Sequence, residues 1–399
     1  MSDIVRVTRH SLGSRGKNSI GGAVFGVLLV AVAVFLLFYN EGRSVKRYKD
    51  LKEGAGAVVT VTSEAVDPAT EGKLIHFTGD AKTVGPLVDA TFGISVDAIR
   101  LERTAEMYQW VEEVRTEETK NVGGSTDVKK TYSYSNEWRE GVVDSSRFEA
   151  PQNHQNPISM PHTSGAQNAT GVTVGAFQLP AFLIDKIRGS EPFPIESLDR
   201  ANREVQLAKL SQGGLYFGSD PNNPDVGDIR IRFEVVRPGP VSVVAQQKGN
   251  TLVSYQAKTG GTVDLLSRGE QTAEEMFRAA QDANKSLTWA LRVLGFVLLG
   301  IAFSMIFRPL VVFADVLPFL GRIVGAGTTF ISFLLAGVVW ALTVSVAWIF
   351  YRPLLGVAIF VLAVALLVLL IRKVNSVKAR QAVAANPNIP NPSTPPPLS

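Results

Sequence analysis

Apolar residues are concentrated in two parts of this sequence, residues 20–39 and about 289–371, and the region between them mixes polar and apolar positions. The first stretch, Ile20–Tyr39, is twenty residues long and carries no charge. As a helix it would be about 30 Å long, which matches the hydrocarbon thickness of a bilayer. It ends in LLFYNEGR, without the small-residue cleavage site of a signal peptide. The pattern predicts an uncleaved transmembrane helix.

The second apolar region must turn at least once. Residues 323–371 contain one charge, Arg352, which is followed by Pro353. A single helix of that length would exceed about 70 Å, more than twice the bilayer core. Proline suits the first turn of a new helix and disfavours helix in the preceding residue. We therefore expect Arg352 at the headgroups between two spans, and Arg308-Pro309 in the same role at the end of the preceding span.

These patterns predict an α+β membrane protein with four transmembrane helices and a large, mainly antiparallel β-domain between the first and second spans. The predicted segments are a cytoplasmic arm at 1–19, spans at 20–39, 289–307, 324–351 and 354–371, an extracytoplasmic β-rich domain at 40–288, an interfacial or re-entrant segment at 308–323, and a cytoplasmic, proline-rich, disordered tail at 372–399.

Alternation with a period of two predicts the strands of the domain. Residues Ile99–Thr119 and Lys129–Trp138 flank the turn sequence VGGSTD and predict a long hairpin with aromatic pairs across its strands. A second set of alternating runs within 227–267 predicts an antiparallel meander. Thr272 and Glu275 form a capping box that begins a helix at 273–288, continuous with the second span.

The charge pattern indicates membrane flanks and no nucleic-acid partner. The net charge of +4 is small for 399 residues, and the basic residues lie beside the apolar runs. Their distribution favours cytoplasmic termini. The chain has no cysteine, which excludes disulfides, cysteine-ligated metals and thiol nucleophiles.

No catalytic, cofactor-binding or metal site is predicted, because the phosphate-binding, hydrolase and zinc motifs are absent. His154 and His162 share a proline-rich loop, and ordinary loop histidines are the better interpretation. Asp315 lies in an apolar stretch broken by prolines, where an interfacial carboxylate costs little. Adjacent carboxylates such as Glu112 and Glu113 point to opposite faces of a strand and fit a solvated hairpin.

Two sets of residues are candidates for roles at the membrane. Basic residues beside the spans can contact lipid headgroups, and the candidates are Arg43, Lys46, Arg47, Lys49, Arg308 and Arg352. Small residues within the spans permit close helix packing, and the candidates are Gly22, Gly26, Gly337 and Gly356.

Several stretches, in the same order over nearly the whole chain, resemble the transmembrane protein 43 (LUMA) family: FYNEGR, EGKLIHFTGDAKT, EMYQWVEE, KKTYSYSNEWR, HQNPISM, VGDIRIRF and WIFYRPL. The resemblance implies four spans with a large lumenal domain between the first two. It implies the endoplasmic reticulum and inner nuclear membrane in eukaryotes, with emerin and lamins as partners there. The absence of cysteine, a shortened 234–245 region and the proline-rich tail are those of a distant, bacterial-type member, for which the location is the bacterial inner membrane.

Two functions follow from these observations. The first is a non-enzymatic, multi-pass membrane scaffold without cofactors, which associates with itself and with membrane lipids. The alternative is a membrane protein that senses a lipid or other ligand at the junction between the β-domain and the membrane, where the basic run Arg43–Lys52 lies beside aromatic strands.

Overall fold

The computed structural model describes residues 4–196, 203–316 and 318–352. Its helices are α1 (Leu12–Ala57), α2 (Ala181–Ile184), α3 (Ala273–Ala314) and α4 (Pro318–Tyr351). Its strands are β1 (Ile4–His10), β2 (Val59–Thr60), β3 (Leu74–Lys82), β4 (Leu87–Asp89), β5 (Ile94–Val96), β6 (Arg100–Lys120), β7 (Thr126–Glu140), β8 (Gly165–Asn168), β9 (Thr173–Val174), β10 (Phe177–Gln178), β11 (Glu191–Phe193), β12 (Lys209–Ser211), β13 (Gly214–Phe217), β14 (Ile229–Val236), β15 (Gly239–Lys248), β16 (Thr251–Val253), β17 (Tyr255–Gln256), β18 (Thr262–Val263) and β19 (Leu265–Arg268).

Three helices of the described residues, α1, α3 and the Gly321–Tyr351 part of α4, are long and apolar enough to cross a membrane. The prediction of a four-span fold is therefore wrong for this structure, which places the β-domain after the first of three candidate spans. The predicted fourth span, 354–371, lies outside the described residues. The α+β class and the large antiparallel β-domain are confirmed.

Helices α1 and α3 extend well beyond their apolar sections. Helix α1 begins after Ser11, whose side chain accepts a hydrogen bond from the Ser14 N–H, and runs for 46 residues. Helix α3 begins at the capping box. The Thr272 side chain accepts a hydrogen bond from the Glu275 N–H, and the Glu275 side chain accepts one from the Thr272 N–H. It continues through Pro309 to Ala314, although a stop near Phe307 was predicted. A membrane helix tolerates proline where neighbouring helices support it, and α1 and α4 both pack against α3.

The strands form two main sheets, the first antiparallel and the second mostly antiparallel, with the parallel pairs β2–β3 and β10–β16. The first has the order β1-β7-β6-β14-β13-β12, with β8 paired to β6 and β11 to β14. In the second, the pairings β3–β15, β15–β16, β16–β10, β10–β9 and β9–β3 close on themselves around a core that includes Phe77 and Phe177. The predicted meander is wrong at its first connection, because β14 and β15 belong to different sheets. The chain changes sheets at Arg237-Pro238, between these two strands.

The predicted hairpin is present as β6 and β7, with Tyr108 opposite Trp138 and the turn at residues 121–125. Beyond its last pairing with β14 at Met107, β6 projects for another 13 residues, about 44 Å of extended chain. Strand β1 pairs with the outer part of β7, with His10 opposite Thr126. Residues 4–10 of the predicted arm are thus part of the sheet, and β1, β7 and β6 form a three-stranded ribbon beside the helices.

The β-domain and the helices share one apolar cluster. Leu51 of α1 and Phe277 of α3 are buried together with Leu74 of β3, Val244 of β15 and Val263 of β18. Because both helices are continuous from this cluster into their apolar sections, the domain has little freedom to rotate relative to the candidate spans.

Candidate functional site at the junction of helices and domain

A buried ion pair joins α1 to α3 just after the apolar section of α1. The Arg292 guanidinium donates through Nε to Glu41 Oε1 at 2.6 Å and through Nη2 to Oε2 at 2.8 Å. The two side chains are 9% and 2% exposed. The Trp348 indole N–H of α4 also donates to Glu41 Oε2, at 3.0 Å. A bidentate pair with a third donor satisfies the geometric condition under which a buried carboxylate is tolerated.

A layer of amides and hydroxyls continues this contact toward the β-domain. Asn40 donates to the Thr288 carbonyl at 3.0 Å, and Asn284 donates to the Ser44 carbonyl at 3.0 Å. The Thr288 hydroxyl donates to the Ser44 hydroxyl at 2.8 Å. Residues 40 and 44 lie one turn apart on α1, as do 284 and 288 on α3, so each pair occupies one face of its helix. These bonds fix the register of α1 against α3.

Beside this layer lies a cavity of about 310 Å³ with a basic lining. Its walls come from α1, the start of β18 with the residue before it, and the end of α4. They consist of Tyr39, Gly42, Arg43, Lys46, Arg47, Asp50, Gly261, Thr262 and Tyr351. Arg43 donates to Asn284 Oδ1 at 3.1 Å, and Arg47 donates to the Thr262 carbonyl at 2.6 Å. Lys46 is exposed. The cavity thus brings together three of the six predicted headgroup contacts.

The other three lie elsewhere. Lys49 is exposed on α1 and does not line the cavity. Arg352 follows the last residue of α4, and its guanidinium lies 4.9 Å from the centre of the Trp348 ring. Arg308 lies at the opposite end of the helices, in a second cavity that Arg15 also lines. Arg308 and Arg352 therefore occupy opposite ends of the helical bundle.

Among the small residues, Gly26 makes the closest backbone approach. A Cβ atom there would lie 2.8 Å from the Ala302 carbonyl oxygen of α3, whereas one at Gly22 would meet only the Met305 methyl group at 4.0 Å. Gly337 faces Phe296 at 3.9 Å. Gly356 lies outside the described residues. Sequence reasoning did not select Gly300, although the Phe333 ring would lie 2.4 Å from a Cβ there.

The far end of the bundle holds a second buried carboxylate, Asp315, at the end of α3. Its side chain is fully buried, and it accepts hydrogen bonds from Arg15 Nη2 at 2.5 Å and Lys120 Nζ at 2.7 Å. Arg15 also donates to the Gly124 carbonyl, and the Gly123 N–H donates to the Val316 carbonyl at 3.0 Å. Asp315, which the sequence predicts as an interfacial carboxylate, is the point at which the hairpin tip is bound to α1 and α3.

The two polar clusters bracket the apolar section of α1. Arg15 and Glu41 are 26 positions apart, about 39 Å along the helix axis. The projecting part of the hairpin, about 44 Å long, covers the same distance and reaches Asp315 from the domain. The helices and the ribbon run side by side and are joined at the domain and again at Asp315. We call this arrangement the frame.

The candidate catalytic groups are not brought together. His154 stacks on Tyr134 with ring centres 3.6 Å apart, while His162 packs against Phe92 and Phe217. Burial lowers the pKa of His162. Glu112 accepts a hydrogen bond from the Tyr134 hydroxyl, and burial followed by that bond raises the pKa of Tyr134 to about 12. Within residues 4–196, 203–316 and 318–352, no group of three or more His, Asp or Glu side chains could hold a metal ion.

Sequence reasoning missed the pairing of Glu41 with Arg292, because a basic residue near the start of a span ordinarily extends toward the headgroups. The available signal was a glutamate two positions after a span and an arginine just inside another, two opposite charges at the same depth.

Comparison with known proteins identifies the chain's relatives. The family model described as Transmembrane protein 43 matches residues 107–353. Transmembrane protein 43 of Rattus norvegicus is 35% identical over 354 residues, covering 85% of this chain and 87% of the relative. The Homo sapiens protein is 33% identical over 88% of this chain and 89% of its own length, and the Drosophila melanogaster homolog is 33% identical over 84% and 90%. No solved structure matches.

The matched region contains most of the hairpin, β14, β15, α3 and α4, and therefore Arg292, Trp348, Lys120 and Asp315 of the polar clusters, whereas Arg15 and Glu41 precede it. With identities above 30% over most of each chain, this multi-pass integral membrane protein belongs to the transmembrane protein 43 family.

Proposed function

We propose that this protein is a non-enzymatic membrane scaffold that associates with further copies of itself and with membrane lipids. One observation carries the proposal: the β-domain is fixed to the helices through the shared cluster around Leu51 and Phe277, so that it is presented at a set orientation to the membrane. The two polar clusters support it, because they hold the helices and the ribbon in one register.

Exposed apolar faces of the helices provide the surface for self-association. Phe35 of α1 is 69% exposed, and Phe330 of α4 is 71% exposed. Because lipid tails are as apolar as these side chains, burial of the faces gives no hydrophobic driving force in a bilayer. Association there depends on van der Waals packing between the faces and on hydrogen bonds between helices. The proposed contacts between copies therefore involve the spans, and the β-domain remains free for other partners.

The absence of cysteine makes a direct test simple. The single-cysteine variants F35C and F330C should each form disulfide-linked dimers when native membranes are mildly oxidised. Mass photometry in mild detergent should show particles larger than a monomer. The matched control is I158C, because Ile158 is 98% exposed on the β-domain and reports random collision.

Two results together would contradict self-association. They are cross-linking at both helix positions that does not exceed the I158C level, and a particle mass equal to one chain. Particles larger than a monomer without such cross-linking would place the contact between copies at another surface.

A further inference from the structure

The basic cavity at the junction has the features of an anion site at headgroup depth. Arg43 and Arg47 lie about 6 Å and 12 Å beyond Tyr39, the last residue of the apolar section, along the axis of α1. The headgroup layer extends about 5–8 Å beyond the hydrocarbon, so Arg43 lies within it and Arg47 lies just beyond its outer edge. The cavity opens beside two tyrosines, Tyr39 and Tyr351, a residue type enriched at that depth.

The three cations of the cavity form no ion pair with the described part of the protein. Over the described ranges, Arg43, Lys46 and Arg47 have no carboxylate within ion-pair distance. Their recorded partners are neutral oxygens: the side chains of Asn40, Asn284 and Thr288 for Arg43, and the Thr262 carbonyl for Arg47.

The carboxylates nearby are already engaged. Glu41 pairs with Arg292, and Asp50, which lines the cavity, accepts a hydrogen bond from the Thr259 hydroxyl. Asp50 also faces Gly261 so closely that no side chain could be added there. With three positive charges and one negative charge, the lining has a formal net charge of +2.

We infer that this cavity binds the phosphate group of an anionic phospholipid. A guanidinium offers paired donors that match phosphate oxygens, and a lysine adds a mobile charge. The acyl chains would extend along the exposed apolar face of α1 that begins at Tyr39, which is 61% exposed. A lipid is favoured over a free phosphate ester because the cavity lies at the end of this face. The site is independent of self-association, since one chain supplies all of its lining.

The test uses the full chain in mild detergent and native mass spectrometry with phosphatidylglycerol as the probe. Replacing both outer cations, in K46Q/R47Q, should weaken phosphatidylglycerol binding about 30-fold and leave phosphatidylcholine binding unchanged. The matched control is K49Q/K52Q, which removes the same charge from exposed positions of the same helix outside the cavity. K46Q alone should weaken binding several-fold without disturbing the fold, since Lys46 is exposed, and R47K should retain binding.

If K46Q/R47Q and K49Q/K52Q weaken phosphatidylglycerol binding equally, the effect comes from diffuse surface charge, and the proposed site is wrong. Binding of glycerol 3-phosphate as tight as that of phosphatidylglycerol would assign the cavity to a free phosphate ester and overturn the lipid as its occupant. A monomeric protein that still loses lipid only in K46Q/R47Q would support the lipid site while refuting self-association.

Discussion

Replacing Arg292 with leucine is expected to lower the free energy of unfolding by about 3–5 kcal/mol, the usual cost of removing one partner from a buried ion pair. The substitution would leave the Glu41 carboxylate buried between α1, α3 and α4, with the Trp348 N–H as its remaining donor among the described residues. Unfolding of the purified protein by SDS titration in mild detergent measures the loss. R292K should recover part of it, because lysine restores the charge without the bidentate geometry.

The matched control is the double substitution E41L/R292L. Apolar replacement of a complete buried pair is often neutral or stabilising, so the double variant should be much more stable than R292L. Equal instability of both variants would show that the site depends on side-chain shape alone. Wild-type stability of R292L would contradict the buried pair itself.

Replacing Asp315 with alanine should release the hairpin tip from the helices. Its carboxylate accepts one hydrogen bond from Arg15 and one from Lys120, and a bond to a charged group contributes about 1.5–3 kcal/mol. Because Lys120 is 31% exposed, part of that contribution is lost to solvent screening. We expect amide hydrogen exchange at residues 121–125 to increase about 10- to 100-fold.

E113A serves as the control on the same hairpin, since Glu113 is exposed and lies between the two ends of the frame. Exchange at the tip should be unchanged in E113A and increased in R15A/K120A, which removes the two donors. Unchanged exchange in D315A would show that the remaining bonds, from Arg15 to the Gly124 carbonyl and from the Gly123 N–H to the Val316 carbonyl, are sufficient to hold the tip.

Local patterns were sufficient where neighbouring residues determine the structure. The hairpin follows from alternation over Ile99–Thr119 and from the glycine pair in its turn, and its register is observed as Tyr108 opposite Trp138. The capping box at Thr272 and Glu275 is likewise local, with both of its bonds formed. In each case, the energetically important contacts connect residues that are close in sequence or repeat with a fixed period.

Contacts between distant segments could not be predicted in the same way. Glu41 and Arg292 are 251 positions apart, and Asp315 is 300 positions from Arg15. Each charge considered alone is best explained by exposure at the headgroups, and only the packing of α1 against α3 shows that it is paired and buried. Pro309 was expected to end a helix, but packing of α3 against α1 and α4 supports its continuation to Ala314.

The ribbon of β1, β7 and β6 has a physical consequence for the membrane. It runs beside the apolar section of the helices and exposes the charged side chains of Glu113, Arg115, Glu117, Lys129 and Lys130. One such charge in hydrocarbon costs about 2.5–3.5 kcal/mol or more. The ribbon therefore needs water on its surface, and lipid must contact the other sides of the helices.

The ribbon and the helices form one frame, in which β1 is paired to the outer part of β7. Val7 lies opposite Lys129, and both are exposed, so V7C/K129C in the cysteine-free chain should form an intramolecular disulfide when native membranes are mildly oxidised. The control V7C/E113C should not, because Glu113 pairs with Ser133, beyond the end of β1 at Tyr132. The predicted result is the loss of both thiols in a monomeric species. If folded V7C/K129C keeps two free thiols, β1 is not paired with β7, and this result would contradict the frame.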